Sequence, residues 1–318
     1  MQQRTLGPVG EVSALALGGG GIGAVWGETS RAEAVATVRE AVDAGVTLLD
    51  LAPSYGDGEA ERVIGEAFAG SLPNGVRTTS KCRLGDAPAD EVYEHLSTSL
   101  TDSLERMQLE YVDVFLLHAN LVPDGTGDDR GTPLTLFREA VRPAFERIVA
   151  EGGARAWGIS GIGWPSVVRT ALADDPPPQV VQCIANLLDS TGGLHRSDEP
   201  LAPRASIRLA QQRGVGVMGI RAVQAGALTD AFDRELPADH PDQVDYRRAA
   251  PFRALAAELG LGAAHLAHRY SLTMDGVDTV VLGVKNREEL RDCLAAEAAG
   301  ALEPELVERI DQSVERRD

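Results

Sequence analysis

Short apolar runs alternate along the chain with longer amphipathic stretches, and this alternation predicts the secondary structure. Runs of four to six residues rich in Val, Ile, Leu, Ala and Thr are typical of buried strands. The predicted strands are Ser13–Leu17, Thr47–Leu51, Arg77–Ser80, Val112–Leu117, Ala154–Ile159, Gln179–Ile184, Gly216–Ile220 and Thr279–Leu282. The predicted helices include Arg31–Ala44, Ala60–Phe68, Asp90–Arg106, Leu136–Val149, Pro165–Leu172, Arg204–Gln212, Arg247–Leu259 and Arg287–Ala298.

Strand and helix alternate eight times over about 280 residues, which predicts an α/β fold with a closed parallel (β/α)8 barrel. We expect residues 1–318 to form a single domain. The final stretch Glu303–Arg316 is then an extra C-terminal helix. Segments rich in Gly, Pro and Asp predict long loops at the C-terminal face, after strands four, six and seven: Asn120–Pro133, Asp189–Pro203 and Asp230–Asp245.

A doubly wound sheet is the alternative, because the run Gly18 to Gly23 satisfies G-x-G-x-x-G directly after a strand. Two details oppose it. Six residues follow Gly23 before the first helix signal, and Asp50 lies 27 residues past Gly23 rather than about 20. We therefore interpret the glycines as a tight first βα turn that requires positive φ.

Composition is that of a globular protein, with 43% hydrophobic and 25% charged residues. No run of 18 apolar residues and no signal-like segment in Met1–Gly10 are present, so we expect no membrane association and a cytoplasmic location. Three widely separated cysteines predict reduced thiols and no metal site. The net charge of −18 opposes nucleic acid as a partner, so a phosphate-bearing ligand needs a local positive pocket.

Lysine is scarce in this chain. Of 30 basic residues only Lys81 and Lys285 are lysine. Where arginine supplies nearly every positive charge, each lysine is a candidate for chemistry that arginine does not perform.

Polar residues end several predicted strands at the same geometric level. Strand two ends at Asp50 and runs on to Tyr55, strand three ends at Lys81, strand four at His118 and strand five at Ser160. Each residue alone also fits a structural role, such as a loop cap, a turn aromatic or a core histidine. Because barrel enzymes build their sites from the C-terminal ends of strands, their order predicts one shared cavity.

These residues carry a resemblance to a known family. The segments Leu48 to Gly56 with Glu61, Thr79 to Lys81, Leu116 to His118, Trp157 to Ser160, Val181 to Gln182 with Asn186, Gly214 to Ile220 and Leu282 to Asn286 occur in this order. In that order they resemble the aldo-keto reductase superfamily. The resemblance implies a (β/α)8 barrel that uses NAD(P)H without metal or flavin, with Asp50, Tyr55, Lys81 and His118 as its catalytic tetrad.

The chemistry of carbonyl reduction explains why such a set is needed. Hydride delivery leaves an alkoxide, which requires a proton donor and dipoles already in place. Tyr55 is the expected donor, and a nearby Lys81 would lower the pKa of its phenol. Asp50 would keep Lys81 charged and oriented, and His118, as a neutral or a charged donor, would donate a hydrogen bond to the carbonyl oxygen.

The resemblance also implies the cofactor contacts. Lys285, with Asn286 beside it, would meet the 2′-phosphate of NADPH, and Arg287 or Arg291 would add positive charge. Ser160 and Gln182 would hold the nicotinamide carboxamide, and the backbone of residues 221–226, beginning at Arg221, the pyrophosphate. Further expected contacts are Gly23 and Gly283 to the cofactor and Trp26 to the substrate, although Trp26 also fits a packing role. NADPH/NADP+ is the expected cofactor, with NADH as the alternative.

Several positions depart from the family pattern. Gly161 replaces an Asn, Ala185 replaces the aromatic that stacks on nicotinamide, and Ile220-Arg221-Ala222 replaces a Tyr-Ser-Pro type segment. Asp292-Cys293 replaces a Glu-Asn pair near the adenine. These changes leave the tetrad intact and leave the choice between NADP and NAD open.

Three functions remain open from the sequence. The leading one is an NADP(H)-dependent carbonyl reductase or alcohol dehydrogenase acting on a small-molecule aldehyde, ketone or sugar-like alcohol. The others are a cofactor-binding regulatory subunit with little turnover and a Schiff-base lyase acting through Lys81. Loop residues Asp124, Asp128, Asp129 and Arg130 weakly favour a hydroxylated substrate, and nothing in the sequence indicates the oligomeric state or the physiological direction.

Overall fold

The fold is a closed barrel of eight parallel strands surrounded by helices. A computed structural model describes residues 1–127, 131–230, 232 and 234–315. In chain order the strands are β1 (Gln3–Thr5), β2 (Glu11–Ser13), β3 (Leu15–Gly18), β4 (Leu48–Asp50), β5 (Arg77–Cys82), β6 (Val112–Leu117), β7 (Asn120–Val122), β8 (Gly131–Pro133), β9 (Ala154–Ser160), β10 (Val180–Ile184), β11 (Gly216–Ile220) and β12 (Thr279–Leu282). The barrel runs β3-β4-β5-β6-β9-β10-β11-β12 and closes from β12 onto β3, which confirms the predicted fold and excludes the doubly wound sheet.

Helices follow the barrel strands and cover their outer faces. They are α1 (Gly19–Ile22), α2 (Arg31–Asp43), α3 (Glu59–Phe68), α4 (Val92–Met107), α5 (Leu134–Leu136), α6 (Arg142–Ala150), α7 (Pro165–Ala173), α8 (Pro203–Gln212), α9 (Pro241–Arg248), α10 (Ala250–Glu258), α11 (Ala263–Thr273), α12 (Arg287–Ala298) and α13 (Pro304–Gln312). A π-helical turn, Phe137–Val141, joins α5 to α6. None of the described helices is both long and apolar enough to cross a membrane.

The structure differs from the predicted elements in several places. The predicted helix Arg247–Leu259 is interrupted at Ala249, and its first two residues end α9, which begins at Pro241 within the predicted loop Asp230–Asp245. Helix α11 was not predicted, because its buried face carries Ala, His and Ser beside Leu and so lacks a clear apolar stripe. The predicted loop Asn120–Pro133 contains the short paired strands β7 and β8.

The N-terminal end of the barrel is closed by an antiparallel hairpin of β1 and β2. Leu6 and Val12 from this hairpin are fully buried and pack against the interior residues Leu48, Val114 and Met218. The apolar floor leaves the opposite, C-terminal end of the barrel to polar side chains.

The glycine run after β3 has a different cause from the one expected. None of the glycines from Gly18 to Gly23 has a positive φ, so the prediction of a left-handed turn is wrong. A Cβ atom on Gly18 would lie 2.2 Å from the Leu282 carbonyl oxygen, and one on Gly21 would lie 1.9 Å from that of Val284. Glycine is required because the first βα loop lies directly against the end of β12.

Candidate active site

Asp50, Tyr55, Lys81 and His118 meet at the C-terminal end of the barrel, as the sequence predicted. Lys81 is completely buried, and its Nζ lies 3.0 Å from each carboxylate oxygen of Asp50. The same ammonium donates hydrogen bonds to the Leu51 carbonyl oxygen at 2.8 Å and to the Tyr55 hydroxyl at 3.2 Å. Its donors are therefore directed at the carboxylate, the backbone and the phenol.

Asp50 is fixed by two further side chains. Thr79 Oγ1 and Gln182 Nε2 donate to Asp50 Oδ1 at 2.8 and 2.9 Å. Thr79 was not predicted as a site residue, although it lies two residues before Lys81 on β5, a spacing that puts both side chains on one face of the strand. Gln182 was predicted to hold the nicotinamide, but its amide nitrogen is bonded to Asp50.

Burial and charge act against each other in this group. Burial opposes the charge on Lys81, but the nearby Asp50 and Tyr55 outweigh burial and raise the pKa of the ammonium. Burial raises the pKa of the Tyr55 phenol, and the charge on Lys81 offsets only part of that rise. The acidifying effect expected from Lys81 is present, yet the net shift is upward, so Tyr55 keeps its proton at neutral pH.

His118 is held beside Tyr55 in its neutral form. Its backbone N–H donates to the Cys82 carbonyl oxygen at 2.7 Å, and its ring meets the Tyr55 ring edge-on at 5.8 Å between centroids. Burial and the charges on Lys81 and Arg83 lower the pKa of His118 to about 3. Ser54 Oγ lies 3.4 Å from its Nδ1. The sequence left the charge of this histidine open, and its burial beside two cations favours a neutral imidazole that can donate a hydrogen bond.

A cavity of about 550 Å³ adjoins these residues. Lys81, Ser54 and His118 line it together with Arg83 and polar residues of α4, which include Glu94, Thr98 and Asp102. Arg83 was not predicted as a site residue, although Arg83 follows Lys81 at the same two-residue spacing by which Lys81 follows Thr79.

Similarity to known proteins identifies the family of this chain. A model described as the Aldo/keto reductase family matches residues 14–315. The chain belongs to this family, whose members are oxidoreductases. It is 28% identical over 299 residues to L-galactose dehydrogenase of Arabidopsis thaliana, covering 93% of this chain and 88% of the relative.

Two further similarities bear on function. The chain is 27% identical over 312 residues to a probable voltage-gated potassium channel subunit beta of Oryza sativa subsp. japonica, covering 90% of this chain and 88% of the relative. Among solved structures, an aldo-keto reductase of Klebsiella pneumoniae in complex with NADPH is similar, with a TM-score of 0.71 and 25% identity. That match covers 100% of this chain and 97% of the other.

Ser160, which the sequence predicted to contact the nicotinamide carboxamide, lies at the C-terminal end of the barrel. Ser160 ends β9 beside Gln182 on β10, and it is only 3% exposed. Within the described part of the chain its hydroxyl has no hydrogen-bond partner. An unpaired buried hydroxyl is costly unless a bound group completes it, and a carboxamide fits that requirement.

The other candidate cofactor and substrate residues lie around the same rim. The Arg221 side chain donates hydrogen bonds to Gln224 Oε1 at 3.0 Å and to Asp242 Oδ1 at 3.3 Å, and these bonds fix the loop after β11. The Trp26 ring, 48% exposed, lies against Gly20 and Gly283 on the β12 side of the rim, and Trp26 is not among the residues that line the cavity.

The predicted positive cluster after β12 is present, but its charges are matched. Each cation is bonded to a carboxylate, in the pairs Lys285–Glu289 at 2.7 Å, Arg287–Glu33 at 2.9 Å and Arg291–Glu40 at 2.6 Å. Asn286 caps α12 by accepting a hydrogen bond from the Glu289 backbone N–H at 2.9 Å. The positive charges expected at this position are therefore balanced by glutamate carboxylates of the same chain.

The departures from the family pattern are accommodated by packing. A Cβ atom on Gly161 would lie 2.6 Å from the Gln182 carbonyl oxygen, and Ala185 is fully buried. The Sγ atom of Cys293 lies 3.7 Å from His268 Nε2 on the inner side of α12.

The expected polar loop is described only in part. Its residue Asp124 accepts hydrogen bonds from Thr135. Asp128, Asp129 and Arg130 lie outside the described residues.

Proposed function

We propose that this protein transfers a hydride between a nicotinamide dinucleotide and the carbon of an aldehyde or ketone, or of the corresponding alcohol in reverse. The observation that carries the proposal is the buried ammonium of Lys81, shared between Asp50 and the Tyr55 hydroxyl. The unpaired hydroxyl of Ser160 supports a carboxamide at the same rim. The similar Klebsiella structure contains NADPH, and NADH is the alternative cofactor.

The site residues divide the proton chemistry among them. The bound dinucleotide supplies or accepts the hydride. In the reductive direction Tyr55 donates its phenolic proton to the oxygen that becomes the alcohol, and Lys81 stabilises the tyrosinate that remains. Asp50 holds Lys81 in place, and the neutral imidazole of His118 donates a hydrogen bond to the carbonyl oxygen.

The cavity supports a hydroxylated substrate. Glu91, Glu94 and Asp102 line it with Arg83, so it offers both acceptors and a donor to hydroxyl groups. The similarity to L-galactose dehydrogenase agrees with a sugar-like carbonyl compound or alcohol.

The test is the consumption of NADPH or NADH by the purified protein with aldoses and with unsubstituted aldehydes of equal chain length. We expect turnover of both classes, with higher kcat/KM for the hydroxylated compounds. Equal kcat/KM for the two classes would contradict the substrate class. Absence of turnover for every compound would contradict the proposed activity.

The regulatory-subunit alternative is favoured by the similarity to the probable potassium channel subunit beta of Oryza sativa. A tight cofactor complex that does not react with any carbonyl compound would support it.

The Schiff-base alternative requires a neutral amine on Lys81. The raised pKa and complete burial of this ammonium, paired with Asp50, favour hydride transfer over that chemistry.

A further inference from the structure

The loops after β11 and β12 form the part of the rim where a phosphate group is expected. In (β/α)8 barrels the phosphate site is frequently built from the loops after strands seven and eight and a following helix N-terminus. Here the eighth barrel strand, β12, leads through residues 283–286 to α12, which begins at Arg287. The inference below rests on the proposed function, since it concerns the adenosine end of the same dinucleotide whose nicotinamide end is indicated by the unpaired Ser160 hydroxyl.

The cations at this position are held by carboxylates on two elements. Glu289 accepts from Lys285 Nζ at 2.7 Å with one oxygen and from the Lys285 backbone N–H at 2.8 Å with the other. Glu33, which lies on α2, accepts from the Arg287 backbone N–H at 3.0 Å and from its guanidinium at 3.1 and 2.9 Å. Both carboxylates are therefore bound through backbone and side-chain donors together.

The helix N-terminus is also satisfied from within the chain. The N–H groups of Lys285, Arg287 and Glu289 donate to Glu289, Glu33 and Asn286 in turn. Glu288 adds a further negative charge in the first turn of α12. The groups that normally attract a phosphate to a helix N-terminus already have anionic or polar partners.

This arrangement distinguishes a hydroxyl from a phosphate. A carboxylate accepts a hydrogen bond from a ribose 2′-hydroxyl, whereas a 2′-phosphate beside it brings two negative charges together. Binding a phosphate requires that Glu33 and Glu289 give up several charge-assisted hydrogen bonds and remain nearby as like charges. Binding a hydroxyl group breaks none of these hydrogen bonds and brings no additional negative charge.

We propose that the adenosine end of the site selects a 2′-hydroxyl, so that NAD(H) binds more tightly than NADP(H). Glu33 and Glu289 are the residues that determine this specificity. The preference differs from the NADPH found in the similar Klebsiella structure, and it rests on the carboxylate pairs of this chain.

The experiment is a titration of the purified full-length protein with NADH and with NADPH, followed by nicotinamide fluorescence without substrate. We expect NADH to bind with the lower Kd. In the variants Glu33→Gln and Glu289→Gln we expect NADPH affinity to rise about five- to tenfold, with NADH affinity changed less, because each removes one negative charge at constant shape. Glu151→Gln is the matched control, since Glu151 pairs with Arg147 at the opposite end of the barrel.

The outcomes separate the two proposals. Tighter binding of NADPH by the wild type, or no gain in NADPH affinity in either variant, overturns the specificity inference and leaves the proposed function standing. Failure to bind both dinucleotides contradicts the proposed function itself. An equal gain in the Glu151→Gln control would assign the effect to overall charge and overturn the role of Glu33 and Glu289.

Discussion

At the scale of single residues, the site depends on one buried ammonium that holds a carboxylate and a phenol together. The order of Asp50, Tyr55, Lys81 and His118 along the chain was enough to predict that they meet, because each follows a barrel strand. The carboxylates around Lys285, Arg287 and Arg291 were not predictable in the same way. Glu33 and Arg287 are 254 positions apart, and only the closed barrel brings α2 beside α12.

The neutral state of His118 predicts how stability depends on pH. Its pKa falls from 6.5 to about 3 on folding, so between these values the unfolded chain binds a proton that the native chain does not. His118 therefore contributes a decrease in the free energy of unfolding as the pH falls below 6.5. We expect the urea midpoint of the wild type to fall from pH 7 to pH 5, and to fall less in His118→Gln.

His268 is a second buried histidine that contributes to this pH dependence. Burial lowers its pKa as well, so part of the pH dependence should remain in the His118 variant. Identical pH dependence in the variant and the wild type would contradict the assignment of a neutral, buried imidazole to His118.

At the scale of elements, a buried glutamate joins two helices to the strand that carries Lys81. Glu61 on α3 is completely buried and accepts from Ser80 on β5 at 2.7 Å and from Arg106 on α4 at 2.7 Å. The sequence placed Glu61 in the segment that resembles the family, but it did not predict this structural role.

The eight barrel strands were predicted because buried parallel strands are continuous apolar runs. Helix α11 was not predicted, because its buried face is partly polar.

This contact predicts unequal effects of two substitutions on one helix. Glu61→Ala leaves Arg106 and Ser80 without their partner, and we expect a loss of about 3 to 5 kcal/mol in the free energy of unfolding. Glu66→Ala removes an exposed carboxylate 3.6 Å from Arg31, and we expect a change below about 1 kcal/mol. Chemical denaturation of both variants measures the difference, and equal losses would contradict the role of Glu61.

At the scale of the whole molecule, the apolar packing that closes the barrel and the polar candidate site lie at opposite ends of the barrel. The N-terminal hairpin and the apolar interior around Leu6 close one end, and the polar groups lie at the other. The sequence predicted this division through strand order, but it did not predict the hairpin, whose strands have only three residues each. The net charge of −18 likewise gave no sign that the few cations near β12 are already paired.

The central claim is that Tyr55 is the proton donor in a hydride transfer assisted by Lys81. The most direct measurement is single-turnover reduction of an accepted carbonyl compound by the preformed cofactor complex of Tyr55→Phe. Tyr111→Phe is the control, because Tyr111 precedes β6 at the N-terminal end of the barrel and contacts Arg155 there. We expect cofactor affinity to be retained in both variants and the rate to fall about 10²- to 10⁴-fold only in Tyr55→Phe. A Tyr55→Phe rate equal to that of the wild type would contradict the account.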